Sequence, residues 1–327
     1  MGFSRHPKND AASRRASEKT AILLRISQQY CGFISTTSRF KSLAFYRVES
    51  RLQTDTSSSF PLRSVDSIPD EIIWNDPYEA GSEPGVDVVA SGKATDLALE
   101  KIREAERDQL RTLDLTGCEL SELPPEIGKL TQLRMLELTG NELSALPPEL
   151  SQLSQLRTLR LDDNRFGCVP AEIFPLCQLR ELCLGRLDLA RFPVEVSRFR
   201  HLERLDLDNN GLSKLPGEIG ELALLHTLNL TGNDLAELPV EISGLTRLQE
   251  LYLGSNRLSA LPTEIGRLRQ LRVLNLGNND LASLPTEIGQ LSQLQMLYLG
   301  GNPDLGIPEE ILESRDATRI LAHHLGK

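Results

Sequence analysis

Histidine, cysteine and a glycine-lysine pair are the first places to look for chemistry in this chain, and none of them is spaced for it. His6, His201, His226, His323 and His324 have no acidic or cysteine partner at metal-ligand spacing. Cys31, Cys118, Cys168, Cys177 and Cys183 form an odd set without paired spacing, which reads as reduced thiols in a cytoplasm. Gly92-Lys93 ends like a phosphate loop, but Asp87 stands where the first glycine is needed and Ala94 where a hydroxyl is needed. Neither a G-x-S-x-G elbow nor a kinase signature set occurs. The sequence therefore predicts no enzyme, no catalytic residue, no cofactor and no metal site.

What recurs at fixed spacing is aliphatic. In rows of 23 from Leu110, leucine fills the first position nine times: Leu110, Leu133, Leu156, Leu179, Leu202, Leu225, Leu248, Leu271 and Leu294. It fills the fourth and sixth positions of every row as well. The ninth position reads Cys118, Asn141, Asn164, Leu187, Asn210, Asn233, Asn256, Asn279 and Asn302, and the fifteenth is proline from Pro124 to Pro308. This L-x-x-L-x-L-x-x-N-x-L pattern, extended by L-P-x-E-I-x-x-L, resembles the 23-residue class of intracellular leucine-rich repeats over residues 110–313. The resemblance implies an α/β fold: a right-handed solenoid, or horseshoe, with a parallel sheet on its concave side and short helical segments on its convex side.

Each column has a physical task. Leucines around and within a short strand point inward while the residues between them face out. An asparagine at the turn that follows satisfies backbone groups that would otherwise be buried unpaired. Leu187 cannot do this, so a local distortion is expected in the fourth repeat. Proline at position fifteen starts the convex segment, and the glutamate at position seventeen, Glu126 through Glu310, suits a helical N-terminus better than it suits an acidic docking stripe. Such an array exposes leucines at both ends. Residues 94–109 are expected to form an N-terminal capping helix through Leu99, Ile102 and Ala105, and residues 314–327 a C-terminal one through Ile320, Leu321 and Leu325. Residues 1–93 hold no repeat and are expected to be mostly disordered, with an organelle-targeting role as a weaker alternative.

Charge narrows the partners. Residues 1–63 carry eleven Lys/Arg against four Asp/Glu, a net +7, so with −10 overall the remainder stands at −17. An acidic body repels nucleic acid and anionic lipid, and the apolar run Ala21 to Leu24 is too short for a secretory or membrane-spanning segment. A protein partner is expected, without nucleic acid or membrane insertion, at a cytoplasmic location.

The residues that would read such a partner lie at positions three and five of the strands. Toward the C-terminal end they gather Tyr252, Val273, Met296 and Tyr298, side chains that either anchor an interface or merely stack across strands. Midway lie Arg160, Asp162, Asp163, Glu181, Arg204, Asp206 and Asp208, which form either a solvated ion-pair network or a surface that attracts a basic segment. Arg160, Glu181, Arg204 and Asp206 are the candidate contacts among them.

The repeat is similar to that of Ras-group leucine-rich-repeat scaffolds and the Scribble type, and to the repeat region of bacterial Roco GTPases, without their GTPase domain. The first likeness implies a non-catalytic scaffold or adaptor in intracellular signalling. The second implies, as an alternative, the regulatory recognition subunit of a split Roco-like GTPase or kinase system.

Overall fold

In a computed structural model, residues 88–326 are described. The expectation of disorder for residues 1–93 therefore lies almost wholly outside the described residues.

The chain opens with helix α1 (Val88–Arg107), and nine three-residue strands follow. They are β1 (Thr112–Asp114), β2 (Met135–Glu137), β3 (Thr158–Arg160), β4 (Glu181–Cys183), β5 (Arg204–Asp206), β6 (Thr227–Asn229), β7 (Glu250–Tyr252), β8 (Val273–Asn275) and β9 (Met296–Tyr298). They form one parallel sheet in chain order. Register is uniform from the first pair, Leu113 opposite Leu136, to the last, Leu274 opposite Leu297. The central leucine of each strand is buried and its neighbours, apart from Thr158, Cys183 and Thr227, are partly exposed, so the period-two pattern places positions three and five on one outward face. This repeat-on-repeat stack is the solenoid implied by the sequence.

The outer wall is built of single turns. In repeats one to eight the turn is 3₁₀, as in Pro125–Lys129 and Thr286–Gln290, and in the ninth it is the short α-helix α2 (Glu309–Leu312). Proline at position fifteen is extended, for example φ −66° and ψ 144° at Pro239. Its carbonyl accepts the N–H of the isoleucine-type residue three positions on, as Ile242 to Pro239 at 3.0 Å, which opens the single turn. Successive turns pack closely: a Cβ on Gly266 would lie 2.6 Å from the Glu287 carbonyl oxygen of the next repeat. That contact explains the small residues after the isoleucine column.

The asparagine column forms a buried ladder. Asn233 Nδ2 donates to the carbonyls of Leu230 in its own repeat, at 3.0 Å, and Leu207 in the repeat before, at 2.9 Å. Its Oδ1 accepts the Leu212 N–H at 3.1 Å. A sixth-position carbonyl flanked by two such repeats thus receives two asparagines, as Leu138 does from Asn141 and Asn164. At Leu187 the ladder is broken as expected, and the redundancy limits the damage: Leu161 keeps Asn164, and Leu184 keeps Asn210. Asn210 Oδ1 also accepts two amides, Leu187 N–H at 3.0 Å and Leu189 N–H at 3.1 Å. The backbone records the break. The two repeats without asparagine, at Cys118 and Leu187, have a left-handed residue at position ten, Glu119 and Asp188, each at φ 55°.

Both ends are closed. Helix α1 buries Ala98, Ile102 and Ala105 on the first repeat, so Ala98 takes the place expected of Leu99, which is half-buried, and the helix begins at Val88. At the far end Arg315 to Ala317 pair antiparallel with β9: Leu297 N–H donates to Arg315 at 3.0 Å and Ala317 N–H to Gln295 at 3.1 Å. Helix α3 (Ala317–His324) follows, capped by Asp316, whose carboxylate accepts the Thr318 N–H at 2.9 Å, and it buries Ile320. The free sheet edge is thereby paired, a device that a helical cap alone does not supply.

Replacing Asn233 by leucine, the residue this chain itself carries at position 187, orphans the buried Leu212 amide in a repeat that lacks the compensating left-handed turn. The expected loss is about 2 kcal/mol, measured by chemical denaturation; an unchanged midpoint would contradict this account of the ladder.

Candidate partner-binding face

Strands β1 to β9 present two rows of side chains, and the turns that end them hold the rows in place. Where position five is Asp or Asn, its side chain accepts the N–H two residues on: Asp114 from Thr116 at 2.8 Å, Asp206 from Asp208 at 3.0 Å, Asn229 from Thr231 at 3.1 Å and Asn275 from Gly277 at 3.0 Å. Position eight, where the chain swings off the sheet, is left-handed in every repeat, from φ 49° at Asn209 to φ 77° at Gly301. Glycine serves there in four repeats, but the third and fourth use Asp163 and Arg186, each at φ 54°. Side chains at a position that favours glycine cost backbone strain of about 1 kcal/mol, and both of these are charged and turned toward the face.

A polar depression lies over repeats two to five, lined by Glu137, Asp162, Asp163, Glu181, Asp206 and Asp208 together with Arg160, Arg186 and Arg204. Arg160 bridges Glu137 at 3.1 Å and Glu181 at 2.9 Å. Arg186 bridges Asp163 at 2.8 Å and Asp208 at 3.7 Å. The lateral ion-pair network foreseen from the sequence exists, but Asp162, Asp206 and Arg204 belong to none of these pairs. The Asp162 carboxylate accepts the Gly185 N–H at 2.8 Å, and Asp206 accepts from Asn229 Nδ2 at 3.1 Å.

Burial drives the titration of this centre. It pushes the Asp162 carboxyl up to about 6, helped by the charges of Asp206 and Asp208 and opposed by the Gly185 hydrogen bond. It also raises Asp206, against the pull of the Asn229 bond and of the Arg204 charge. Cys183, buried between them, has its thiol pushed well up by burial and by the charges of Asp162, Glu181 and Asp206. A neutral thiol in an acidic setting is a poor nucleophile. Hydrogen bonding to Glu181 holds the Arg160 guanidinium firmly charged.

The second cluster is apolar in character. Tyr252, Val273 and Tyr298 are half-buried and Met296 is 38% exposed. In register Asn275 stands between Tyr252 and Tyr298, so the two tyrosines do not occupy adjacent strands. The Tyr252 hydroxyl donates to Glu250 at 3.4 Å, the same carboxylate that accepts from Thr227 Oγ1 at 3.2 Å. The Tyr298 hydroxyl approaches Met296 Sδ at 3.6 Å, and the Arg315 guanidinium lies over its ring, 5.3 Å from the centroid.

The eight candidate residues thus fall into two groups on one face: Arg160 and Glu181 in direct contact beside Arg204 and Asp206 on β5, and Tyr252, Val273, Met296 and Tyr298 on β7 to β9. Three further residues belong with these eight: Arg186 and Asp162, which complete the charged centre, and Arg315, which covers Tyr298. A signal for the first two was present: positions seven and eight read Asp162-Asp163, Gly185-Arg186 and Asp208-Asn209, where repeats one, two and six read Thr-Gly. Arg315 comes from outside the repeats, and only the edge pairing with β9 brings it there. Among the described residues no three His, Cys, Asp or Glu side chains converge as a metal site, and no helix is long and apolar enough to cross a membrane.

Asp162 supplies a pH test. Its folded value of about 6 lies above the ordinary unfolded value of about 3.9, so ionisation opposes folding. The neutral form's contribution is complete below the unfolded value and is lost as pH rises through the folded one. Asp162→Asn keeps an acceptor for Gly185 and is expected to gain stability at pH 8 relative to pH 4 by about 2 kcal/mol, read from urea unfolding at both pH values. A pH-independent difference would contradict the burial argument.

Comparison with known proteins agrees with this geometry. The profile described as "Leucine-rich repeat region" matches residues 99–196 and 193–260, and that described as "Leucine rich repeat" matches 246–303. No curated protein matches the chain significantly. Among solved structures, a leucine-rich repeat protein of Leptospira interrogans is 43% identical with a TM-score of 0.61, over 65% of this chain and 54% of that one. The plant peptide hormone receptor RGFR1, solved in complex with RGF2, is 32% identical with a TM-score of 0.52, over 60% of this chain and 33% of the receptor. An internalin of Listeria monocytogenes, 23% identical with a TM-score of 0.52 over 64% of this chain and 69% of that one, shares the fold. This chain therefore spans about half of the Leptospira protein and a third of the plant receptor. With nine strands in one parallel sheet and the two family matches together spanning them, residues 99–303 of this chain are a leucine-rich repeat region.

Proposed function

We propose that this chain is a non-catalytic scaffold or adaptor that holds a protein partner against the outward face of its sheet, in the cytoplasm and in the service of signalling. Leucine-rich repeat domains generally act as interaction scaffolds, and one structural neighbour is a receptor solved in complex with its partner. The observation that carries the reading is the cluster Tyr252, Val273, Met296 and Tyr298, large side chains left partly in solvent on a face whose opposite side is packed with leucine. Such side chains bury well against a partner and are frequent binding anchors. The thiols of Cys118, Cys177 and Cys183, which form no disulfide, suit a reducing compartment, and the likeness of the repeat to Ras-group scaffolds supports signalling.

The test is capture of partners from cell extract by the full chain and by the double variant Tyr252→Ala, Tyr298→Ala. The variant is expected to retain its fold, because neither side chain belongs to the leucine core, and to lose specific partners by about tenfold or more. Recovery of the same proteins in the same yield would remove the face from consideration.

A further inference from the structure

The charged depression and the tyrosine cluster are two halves of one surface, and their order along the sheet specifies an occupant. Six carboxylates and three guanidinium groups line the depression. Arg160 and Arg186 each engage two carboxylates, which leaves Asp162 and Asp206 outside the ion pairs and the centre acidic overall. Both already accept a backbone or amide N–H, so each is held in a fixed pose with charge to spare. The pairing of Arg186 with Asp163 is built at two left-handed positions that favour glycine and that four other repeats fill with glycine. Strand spacing gives the distances. From β5, which carries Asp206, to β7, which carries Tyr252, is two spacings of about 4.8 Å, and to Tyr298 on β9 is four. An extended peptide rising about 3.3 Å per residue covers these spans in about three and about six residues.

Resting on the reading of this face as a protein-binding surface, we propose that its occupant is an extended polypeptide segment laid across the strands, with an arginine or lysine seated at Asp162 and Asp206 and apolar or aromatic side chains about three and six residues away packed on Tyr252, Val273, Met296 and Tyr298. A cation there meets carboxylates that have no competing ion pair. The apolar half of the segment covers the Met296 side chain, which is 38% exposed. The acidic balance of the repeats, 29 Asp/Glu against 18 Lys/Arg over residues 110–313 and so a net −11, favours the encounter of such a segment and disfavours an anionic one.

The full chain, immobilised at pH 7.5 and low salt, is panned with a phage-displayed random dodecapeptide library. Enriched clones are expected to carry Arg or Lys spaced about three to six residues from Leu, Phe, Tyr or Met. Synthetic peptides from that consensus should bind about tenfold more weakly to the double variant Asp162→Asn, Asp206→Asn, and also to Tyr252→Ala, Tyr298→Ala, and should weaken steeply with salt. Asparagine keeps the acceptor for the Gly185 N–H at position 162 and for the Asp208 N–H at position 206 but not the one for Asn229 Nδ2, so far-UV dichroism and melting midpoint serve as the control for folding. Peptides that lose binding with the tyrosine variant but not with the aspartate variant would overturn the cationic assignment and leave the protein-binding face standing. Enrichment of acidic clones, or of none above an uncoated surface, would overturn it too. Binding indifferent to all four substitutions would overturn both readings. A concentration-dependent dimer in sedimentation, abolished by these same substitutions, would give the face to a second copy of this chain.

Discussion

Every repeat of this protein must turn its backbone away from the sheet inside a dry core, and the polar groups of that turn must be satisfied there. The asparagine ladder does this in seven repeats, each side-chain amide joining its own turn to that of its neighbour. The leucines supply the burial, but an aliphatic core is tolerant of register and cannot by itself fix how one repeat sits on the next. A side chain with two donors and an acceptor can. The uniform 23-residue register of the strands follows from that repeated, directional bond as much as from the leucine columns.

The ladder is redundant, and the protein uses the redundancy. Each sixth-position carbonyl has two lone pairs and normally receives two amides, so the loss of one asparagine at Leu187 leaves the carbonyls on either side with a partner. The backbone beside the missing asparagine is rearranged: Asp188 is in the left-handed region and the Gly167 N–H donates to the Leu187 carbonyl at 2.9 Å. The same repeat contributes Arg186 and Cys183 to the charged depression. The least regular repeat in the stack and the most elaborate part of its face coincide, as expected where local conformational cost is tolerated for the sake of a surface.

Along the face the character changes from acidic and hydrogen-bonded over β3 to β5 to tyrosine- and methionine-bearing over β7 to β9. Both halves stand on the same rigid sheet, so the distance between them is set by strand spacing and not by loops. A surface of that kind favours an extended ligand, whose own backbone repeat is commensurate with a few strand spacings. Strand β9 differs from the rest because its outer edge is paired by Arg315 to Ala317. That pairing closes the sheet and brings a guanidinium over Tyr298, so the cap also shapes the end of the face.

The architecture was legible in the sequence because a repeat restates its rule: leucines at one, four and six and proline at fifteen in all nine rows, and asparagine at nine in seven, each follow from a local constraint that does not depend on distant residues. Leu187 announced the break in the ladder for the same reason. Which carboxylates find an arginine is a different kind of fact. Arg160 reaches Glu137 and Glu181, Arg186 reaches Asp163 and Asp208, and Asp162 is left over, through rotamers and burial that only the assembled face decides. Likewise the left-handed turn at position eight is visible as glycine in four repeats but hidden under Asp163, Arg186, Asn209, Ser255 and Asn278 in the others. The sequence on its own determined the stack and the rows that face outward, because periodicity is local. Only the tertiary structure decided the pairing of charges, the placing of Arg315 on Tyr298 and the shift of the cap contact from Leu99 to Ala98, because those depend on which side chains converge in space.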